Sequence, residues 1–341
     1  MEHPQQVSPG SVRWSALSLD DAETFSTLLV TGASGFVGRR LLQALQHAFP
    51  QTRIRVAVRR TISGLSPEIE QVVVGDFNAH TNWAAVLSGV DGVMHLAARA
   101  HRIGREVGVN HASLCQAVNR DATEGLIRSC VQSGVRKFVL LSTVGVLGRH
   151  RDVLRDADAA APDDPYSVSK WEAEQCVRAA CRGSSTRFVV LRSPLVLGSE
   201  APGNIRLLRT WIHRRLPLPL ATVKNRRSFI YIDNLVDALL LALVHGNADN
   251  RSFLLADDLT LSTAHLVRAL AGERRFALFP FPPKWIRGGL TYLGKSGQAE
   301  QLLGSLEVDG SYFRECLRWT PPITKENALL ALGSNDKGSE C

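Results

Sequence analysis

Three glycines at a spacing of three, Gly32, Gly35 and Gly38, follow an apolar, β-prone run at 27–31 and open a stretch of helical periodicity at 36–49. This strand–turn–helix narrows the fold more than any other feature of the chain. The first glycine permits a tight turn, the second lets backbone N–H groups approach a diphosphate, and the third lets the helix lie close on its strand. The helix N-terminus then adds its partial positive charge. A glycine triplet also serves ordinary turns. Its place at the first strand predicts a dinucleotide site built from Gly32, Ser34, Gly35, Phe36, Val37 and Gly38.

The alternation continues. Residues 53–58, 72–74, 92–96, 137–141 and 187–191 read as strands, and 109–133 and 166–182 as helices. Such a series predicts an α/β fold, a Rossmann doubly wound parallel sheet with helices on both faces, over residues 27–197. Beyond Gly198 the pattern breaks into a Pro-rich stretch at 216–220, an apolar run at 229–232, a helix at 234–245 and short pieces over 253–283. These predict a smaller C-terminal α/β substrate lobe over 198–341, with segments returning to the first domain. Residues 1–26 mix Pro, Gly, Ser and Asp and read as a disordered extension.

At 341 residues, 45% hydrophobic and 21% charged, the chain is neither disordered nor fibrous, and its length suits about two domains. It lacks the run of about 18 apolar residues that a membrane span needs. Forty basic against 32 acidic residues give +8, which suits an anionic ligand. The basic residues are scattered, without the aromatic-interleaved stripe that nucleic acid would select, so no nucleic-acid partner is expected. Cys115, Cys130, Cys176, Cys181, Cys316 and Cys341 form no C-x-x-C pair and have no histidine at zinc spacing. No metal is expected, and the cysteines read as thiols of a reducing cytoplasm.

The second strand ends in Arg59-Arg60, where NAD sites usually carry an acid for the ribose 2′-OH. A guanidinium suits a 2′-phosphate, so NADP(H) is favoured and NAD(H) is the alternative. The pair also reads as a solvated charge pair on a loop. Asp76, in Gly75-Asp76-Phe77, could accept from an adenine amino group or cap a helix. Tyr166 and Lys170 stand four apart on one helix face. An ammonium beside a phenol favours the phenolate, which predicts a Tyr166 pKa below the usual value of about 10. Such a tyrosine exchanges a proton with a carbinol oxygen while a nicotinamide exchanges a hydride. The pair follows the polar end of the fifth strand, Ser142-Thr143, by one loop. A hydroxyl there faces the ligand crevice.

With these motifs in place the chain resembles the extended short-chain dehydrogenase/reductase family, over residues 27–320. The likeness includes His95-Leu96-Ala97-Ala98, Val118-Asn119, the stretch Leu191 to Gly198 and the stretch Arg227 to Asp233. It implies that Thr143 binds the substrate hydroxyl, Tyr166 is the acid/base, and Lys170 orients it and holds the nicotinamide ribose. By the same likeness Phe77, Leu96, Ala97, Ala98, Asn119, Pro194 and Val196 belong to the cofactor site. Asn204, Leu218, Arg227 and Ser305 would hold a UDP-sugar, and a cytoplasmic homodimer is expected. Arg227 also reads as a surface charge and Asn204 as a loop cap.

Sugar dehydratases of that family follow the catalytic threonine with an Asp-Glu pair. Here Val144-Gly145 follow, which argues against dehydration. No arginine lies between Arg287 and Arg314, so Lys295 or a backbone group must stand in for a late diphosphate arginine. The resemblance points nearest to bacterial UDP-sugar 4-epimerases and to 4-reductases of UDP-4-keto-6-deoxy-N-acetylhexosamines in surface-polysaccharide synthesis. Arg59-Arg60 incline the reading to an NADPH-dependent reductase, with a 4-epimerase holding NAD as the alternative. A dinucleotide sensor without turnover is disfavoured, because Thr143, Tyr166 and Lys170 are all present.

Overall fold

The computed structural model describes residues 12–18, 22–99, 109–149 and 151–334. Its strands are β1 (Thr27–Thr31), β2 (Arg53–Val58), β3 (Glu70–Val73), β4 (Gly92–His95), β5 (Lys137–Thr143), β6 (Val153–Leu154), β7 (Arg187–Ser193), β8 (Leu195–Leu197), β9 (Arg227–Tyr231), β10 (Arg251–Leu254), β11 (Thr260–Leu261) and β12 (Glu307–Val308). Among the described residues seven of these form one sheet in the order β10-β7-β5-β4-β1-β2-β3. Every neighbouring pair is parallel. All five residues of β1 are buried, which is why the run reads as continuously apolar rather than alternating. The doubly wound parallel sheet expected from the sequence is therefore what forms. Strand order reverses between β1 and β4, and ligands bind such sheets in the crevice beyond that reversal.

Three strands and one helix differ from their sequence reading. Strands β5 and β7 run to Thr143 and Ser193, past their apolar runs, because the backbone ladder continues through Ser142↔Arg192 and Thr143↔Ser193. Strand β10 belongs to the main sheet, beside β7, and its polar half Arg251-Ser252 hid it. The predicted helix at 109–133 is three pieces, Val109–Cys115, a π-helical turn Gln116–Asp121, and Ala122–Gln132.

The described part of residues 1–26 is not a frayed extension. Val12, Trp14, Ala16 and Phe25 are buried, and Ser15–Ser18 form a 3-10 turn. Ser15 donates from its backbone N and its Oγ to the two carboxylate oxygens of Asp237, at 2.6 and 2.7 Å. Arg40 lies over the Trp14 ring at 5.3 Å. The Pro, Gly and Ser content masked two aromatic anchors. Residues 1–11 and 19–21 lie outside the described residues.

Asp237 sits on helix Ile232–Val244, every residue of which is buried. A helix apolar on all sides belongs in the middle of a fold. Its polar residues tie it outward: Asp233 to Arg40, Asn234 to Asp257 and Ile323, and Asp237 to Trp319 as well as Ser15. Around it, β8, β9 and β11 form a second sheet, and β12 pairs with β6. Cys115, Cys130 and Cys181 are buried free thiols, Cys176 and Cys316 are half-buried, and Cys341 lies outside the described residues. No helix among the described residues is long and apolar enough to cross a membrane.

Candidate active site

The turn after β1 meets the turn after β4. Gly32 has φ +75°, and a Cβ there would lie 2.6 Å from Ala97 N and 2.7 Å from the Leu96 carbonyl carbon. Only glycine fits both the backbone angle and the contact. Thr31 Oγ1 accepts from Ala97 N at 3.2 Å, which fixes the second turn against the first. Helix Phe36–Ala48 starts at Gly35 with no acidic residue in its first turn, so its positive end has no carboxylate of its own. Ser34 and Gly35 are exposed at that end, Phe36 and Val37 half-buried, and Gly38 buried beneath the turn. The residues present fit a diphosphate there.

At the carboxyl ends of β2 and β3, Arg59 Nη1 faces Asp76 Oδ1 at 3.7 Å, with both side chains exposed. The structure thus unites two residues that the sequence offered separately. Arg60 is exposed beside them. Phe77 points its ring into the core, edge-on to Trp83 at 5.4 Å between centroids.

Asn119 is fully buried in the π-helical turn. Its Oδ1 accepts from Arg99 N at 2.6 Å, and its Nδ2 donates to Arg99 O at 3.2 Å and to Ser169 Oγ at 2.9 Å. Ser169 Oγ in turn donates to Tyr166 O at 2.8 Å. One amide thus clamps the loop after β4 to the helix that carries Tyr166. A π turn offsets the helix register by one residue, and such turns concentrate at functional sites.

A second chain of bonds crosses beneath the crevice. His95 joins Thr31 Oγ1 through Nδ1 at 2.7 Å and Thr123 Oγ1 through Nε2 at 2.8 Å. Thr123 Oγ1 donates to Asn119 O at 2.6 Å, so it accepts from His95, which places the ring proton on Nε2 and makes Nδ1 the acceptor for Thr31. Burial, with Lys170 nearby, pushes the His95 pKa down to about 3, so the ring is neutral at physiological pH. This network was legible in the sequence only as a motif. No spacing rule joins Thr31, His95 and Thr123.

Helix Pro165–Cys181 carries Tyr166 and Lys170. Asp164 caps it, accepting from Ser167 N at 3.0 Å and Ser167 Oγ at 2.9 Å, while Arg149 Nη2 donates to the same carboxylate at 2.5 Å. Thr143 ends β5, and its Oγ1 accepts from Gly145 N at 3.2 Å. A Cβ on Gly145 would stand 2.5 Å from Ser167 Oγ, so the turn after Thr143 packs on the first turn of the Tyr166 helix. Thr143, Tyr166 and Lys170 are thereby brought to one end of the sheet.

The electrostatics correct the expectation for Tyr166. Burial, then Asp164 and Cys115, push its phenol up to about 12 rather than down. Lys170, itself buried, has its pKa pulled down to about 8 by desolvation, against which Glu174 acts. The helix spacing put the two groups on one face but carried no information about burial, which disfavours both charges. Glu174, fully buried one turn beyond Lys170, accepts from Ser142 Oγ at 2.6 Å, Arg192 at 2.8 Å and Arg178 at 3.0 Å. The sequence reading missed this carboxylate. Its place four residues after Lys170 was the available signal.

Three of the four expected substrate residues converge on residues 300–305. Arg227 Nη1 donates to Gly304 O at 3.1 Å and Glu300 O at 3.3 Å; burial, with Arg149 near, holds its pKa below the usual arginine value. Asn204 opens helix Asn204–His213 and donates to Gln301 Oε1 at 2.7 Å. Ser305 is exposed, and its Oγ accepts from Arg226 N at 3.1 Å. Leu218 does not join them. Its side chain is buried in the core, and its backbone N and O are taken by Ala277 and Phe279 at 2.8 and 3.0 Å. Leu306 packs with Val144 and Leu147, just after Thr143. Pro194 is buried, Leu96, Ala97 and Val196 are half-buried, and Ala98 is exposed along the crevice side.

The model of the NAD dependent epimerase/dehydratase family matches residues 28–256. The chain belongs to this family. It is 33% identical over 333 residues, 93% of this chain and 99% of the other, to a UDP-glucose 4-epimerase of Vibrio cholerae. It is 29% identical over 245 residues, 70% of each chain, to an N-acetyl-α-D-glucosaminyl-diphospho-ditrans,octacis-undecaprenol 4-epimerase of Escherichia coli O157:H7. Among solved structures, a UDP-glucuronic acid 4-epimerase from Bacillus cereus in complex with NAD superposes with a TM-score of 0.71 at 20% identity, covering 90% of this chain and 95% of that one. A UDP-glucose 4-epimerase of Thermotoga maritima with UDP-glucose also gives 0.71, at 19% identity over 90% and 97%. These structural likenesses carry the fold. The family is NAD(H)-dependent, and this member has the glycine turn after β1.

Proposed function

We propose that the protein interconverts UDP-sugars at C4 as a 4-epimerase that keeps its dinucleotide bound. What supports this is the packing of the turn after Thr143 on the first turn of the helix that carries Tyr166 and Lys170, in a chain whose Vibrio cholerae relative over 93% of its length is a UDP-glucose 4-epimerase. Bound nicotinamide would supply the hydride acceptor and, when oxidised, a positive charge beside the phenol. That charge favours ionisation of the phenol. Tyr166 as the phenolate would take the proton of the C4 hydroxyl as the C4 hydride leaves, then return it when the hydride is delivered to the opposite face of C4, with Thr143 Oγ1 holding the same oxygen. Lys170, buried and with its pKa lowered to about 8, responds strongly to a neighbouring charge. Arg227 and Asn204 flank the diphosphate position, and Arg59 with Asp76 takes the adenosine ribose.

The second reading is an NADPH-dependent 4-reductase of a UDP-4-keto-6-deoxy-N-acetylhexosamine, which Arg59-Arg60 favour. Arg59 is already turned to Asp76, and this weakens the case for a 2′-phosphate. Mass spectrometry of ligand released from natively purified protein separates the two. The epimerase reading expects stoichiometric NAD and interconversion of UDP-sugars with no added cofactor. Protein that arrives empty and consumes NADPH would overturn it in favour of the reductase.

An acetamido sugar is the proposed substrate class, because neither Ser305 nor Leu306 is aromatic and a 2-acetamido group has room there. Comparing kcat/KM for UDP-glucose and UDP-N-acetylglucosamine tests this, and a preference for the plain hexose would refute it. Surface-polysaccharide synthesis supplies the setting, and the free thiols fit the cytoplasm. Light scattering would show the expected homodimer.

A further inference from the structure

Helix Pro283–Tyr292 has no buried residue. Trp285 is 65% exposed and Tyr292 92%, with Leu293 next to it at 65%. Trp285 and Tyr292 lie seven residues apart, two helical turns along one face, and only Gly288 and Gly289 stand between them on that face. Phe279 and Phe281, also exposed, precede the helix. Rings in this number left in water mark an interaction surface.

Charge identifies the partner. From residue 274 to 299 the chain carries five basic residues, Arg274, Arg275, Lys284, Arg287 and Lys295, and no acidic one. Lys284 and Arg287 line a groove of about 730 Å³ on this helix with Thr291 and Tyr292. Aromatic rings beside ammonium and guanidinium groups, on a helix lying flat on the surface, are the composition that enters a headgroup layer. A second copy would bring the same positive face against itself. We propose that the helix Pro283–Tyr292 docks the protein on an anionic lipid surface, with Trp285 and Tyr292 entering the headgroup layer and Lys284 and Lys295 facing lipid phosphates.

The surface adjoins the substrate site. Arg287 pairs with Glu300 at 2.7 Å, and the carbonyl of Glu300 accepts from Arg227. A membrane-seated protein would therefore present its sugar site close to the lipid plane. The docking rests on exposure and charge and holds for any sugar bound there.

Co-sedimentation of the full chain with vesicles tests it, using phosphatidylcholine alone and phosphatidylcholine mixed with phosphatidylglycerol. The protein should pellet with the anionic vesicles, not with the neutral ones, and be released by salt. Lys284→Gln with Lys295→Gln should weaken partitioning about 25-fold, about fivefold for each charge removed. Trp285→Ser with Tyr292→Ser should weaken it by about tenfold or more. All four positions are exposed, so thermal unfolding should stay at the wild-type temperature and report that the variants fold. Failure to pellet with anionic vesicles, equal pelleting with neutral ones, or variants that bind like wild type would overturn the proposal. So would self-association abolished by Trp285→Ser, which would give the face to a second copy.

Discussion

Asn119 Nδ2 lies 2.9 Å from Ser169 Oγ, three residues along the helix from Tyr166. Through this bond and the two to Arg99, a single buried amide positions the helix that carries Tyr166 against the loop that follows β4. The relative placement of those two elements therefore depends on one buried amide.

Asn119→Ala removes all three bonds and leaves Arg99 N and Ser169 Oγ short of a partner. The expected loss is about 2–3 kcal/mol of stability in urea unfolding, the scale of orphaned buried polar groups. Turnover should fall with it. A variant as stable as wild type would show that the clamp is not needed.

Tyr166→Phe should lower kcat by about 10²- to 10⁴-fold with dinucleotide binding unchanged, since only the proton-transferring oxygen is lost. Steady-state turnover with fluorescence titration of the dinucleotide separates the two effects. A variant keeping more than about a tenth of wild-type kcat would remove Tyr166 from its role.

Lys170 makes a prediction about pH. Its pKa is about 8 in the folded protein against 10.5 for an ordinary lysine. Between those values the unfolded chain binds the proton more tightly, so stability rises with pH from about 8 to 10.5. Below about 8, holding a buried ammonium costs roughly 3 kcal/mol. Lys170→Met should therefore stabilise the cofactor-free protein by about 1–3 kcal/mol at neutral pH and reduce the alkaline rise, of which buried Lys137, its pKa also lowered, keeps a share, while turnover drops. Denaturant titrations at neutral and alkaline pH measure this. A destabilised Lys170→Met, or an alkaline rise as large as that of wild type, would contradict the burial argument.

Cofactor choice rests on the Arg59–Asp76 pair. If Asp76 is the group that holds a 2′-hydroxyl, Asp76→Ala should weaken NADH more than NADPH, and Arg59→Ala with Arg60→Ala should not weaken NADPH selectively. If the arginines hold a 2′-phosphate, the double variant should weaken NADPH by about tenfold or more and spare NADH, the scale of a lost charge-assisted contact. Isothermal titration with each dinucleotide reads the result directly, and only the first pattern agrees with retained NAD.

The local features of the protein were already present in the sequence. The glycine turn, the alternation of apolar runs with amphipathic helices, and the Tyr166–Lys170 spacing are written over short distances, where backbone sterics and burial on one face leave a readable period. They sufficed for the parallel sheet and for the ends of strands where chemistry sits. What the tertiary structure decided lies in long-range pairings that no local pattern records. Ser15 is held by a helix more than two hundred residues away, β10 enters the main sheet through its partner β7, and Leu218 is drawn into the core. The His95 and Asn119 networks likewise join four separate segments. Burial is the physical reason these could not be read. It is a property of everything that packs around a group, and it is the largest reason the Tyr166 phenol titrates above its ordinary value and the Lys170 ammonium below its own.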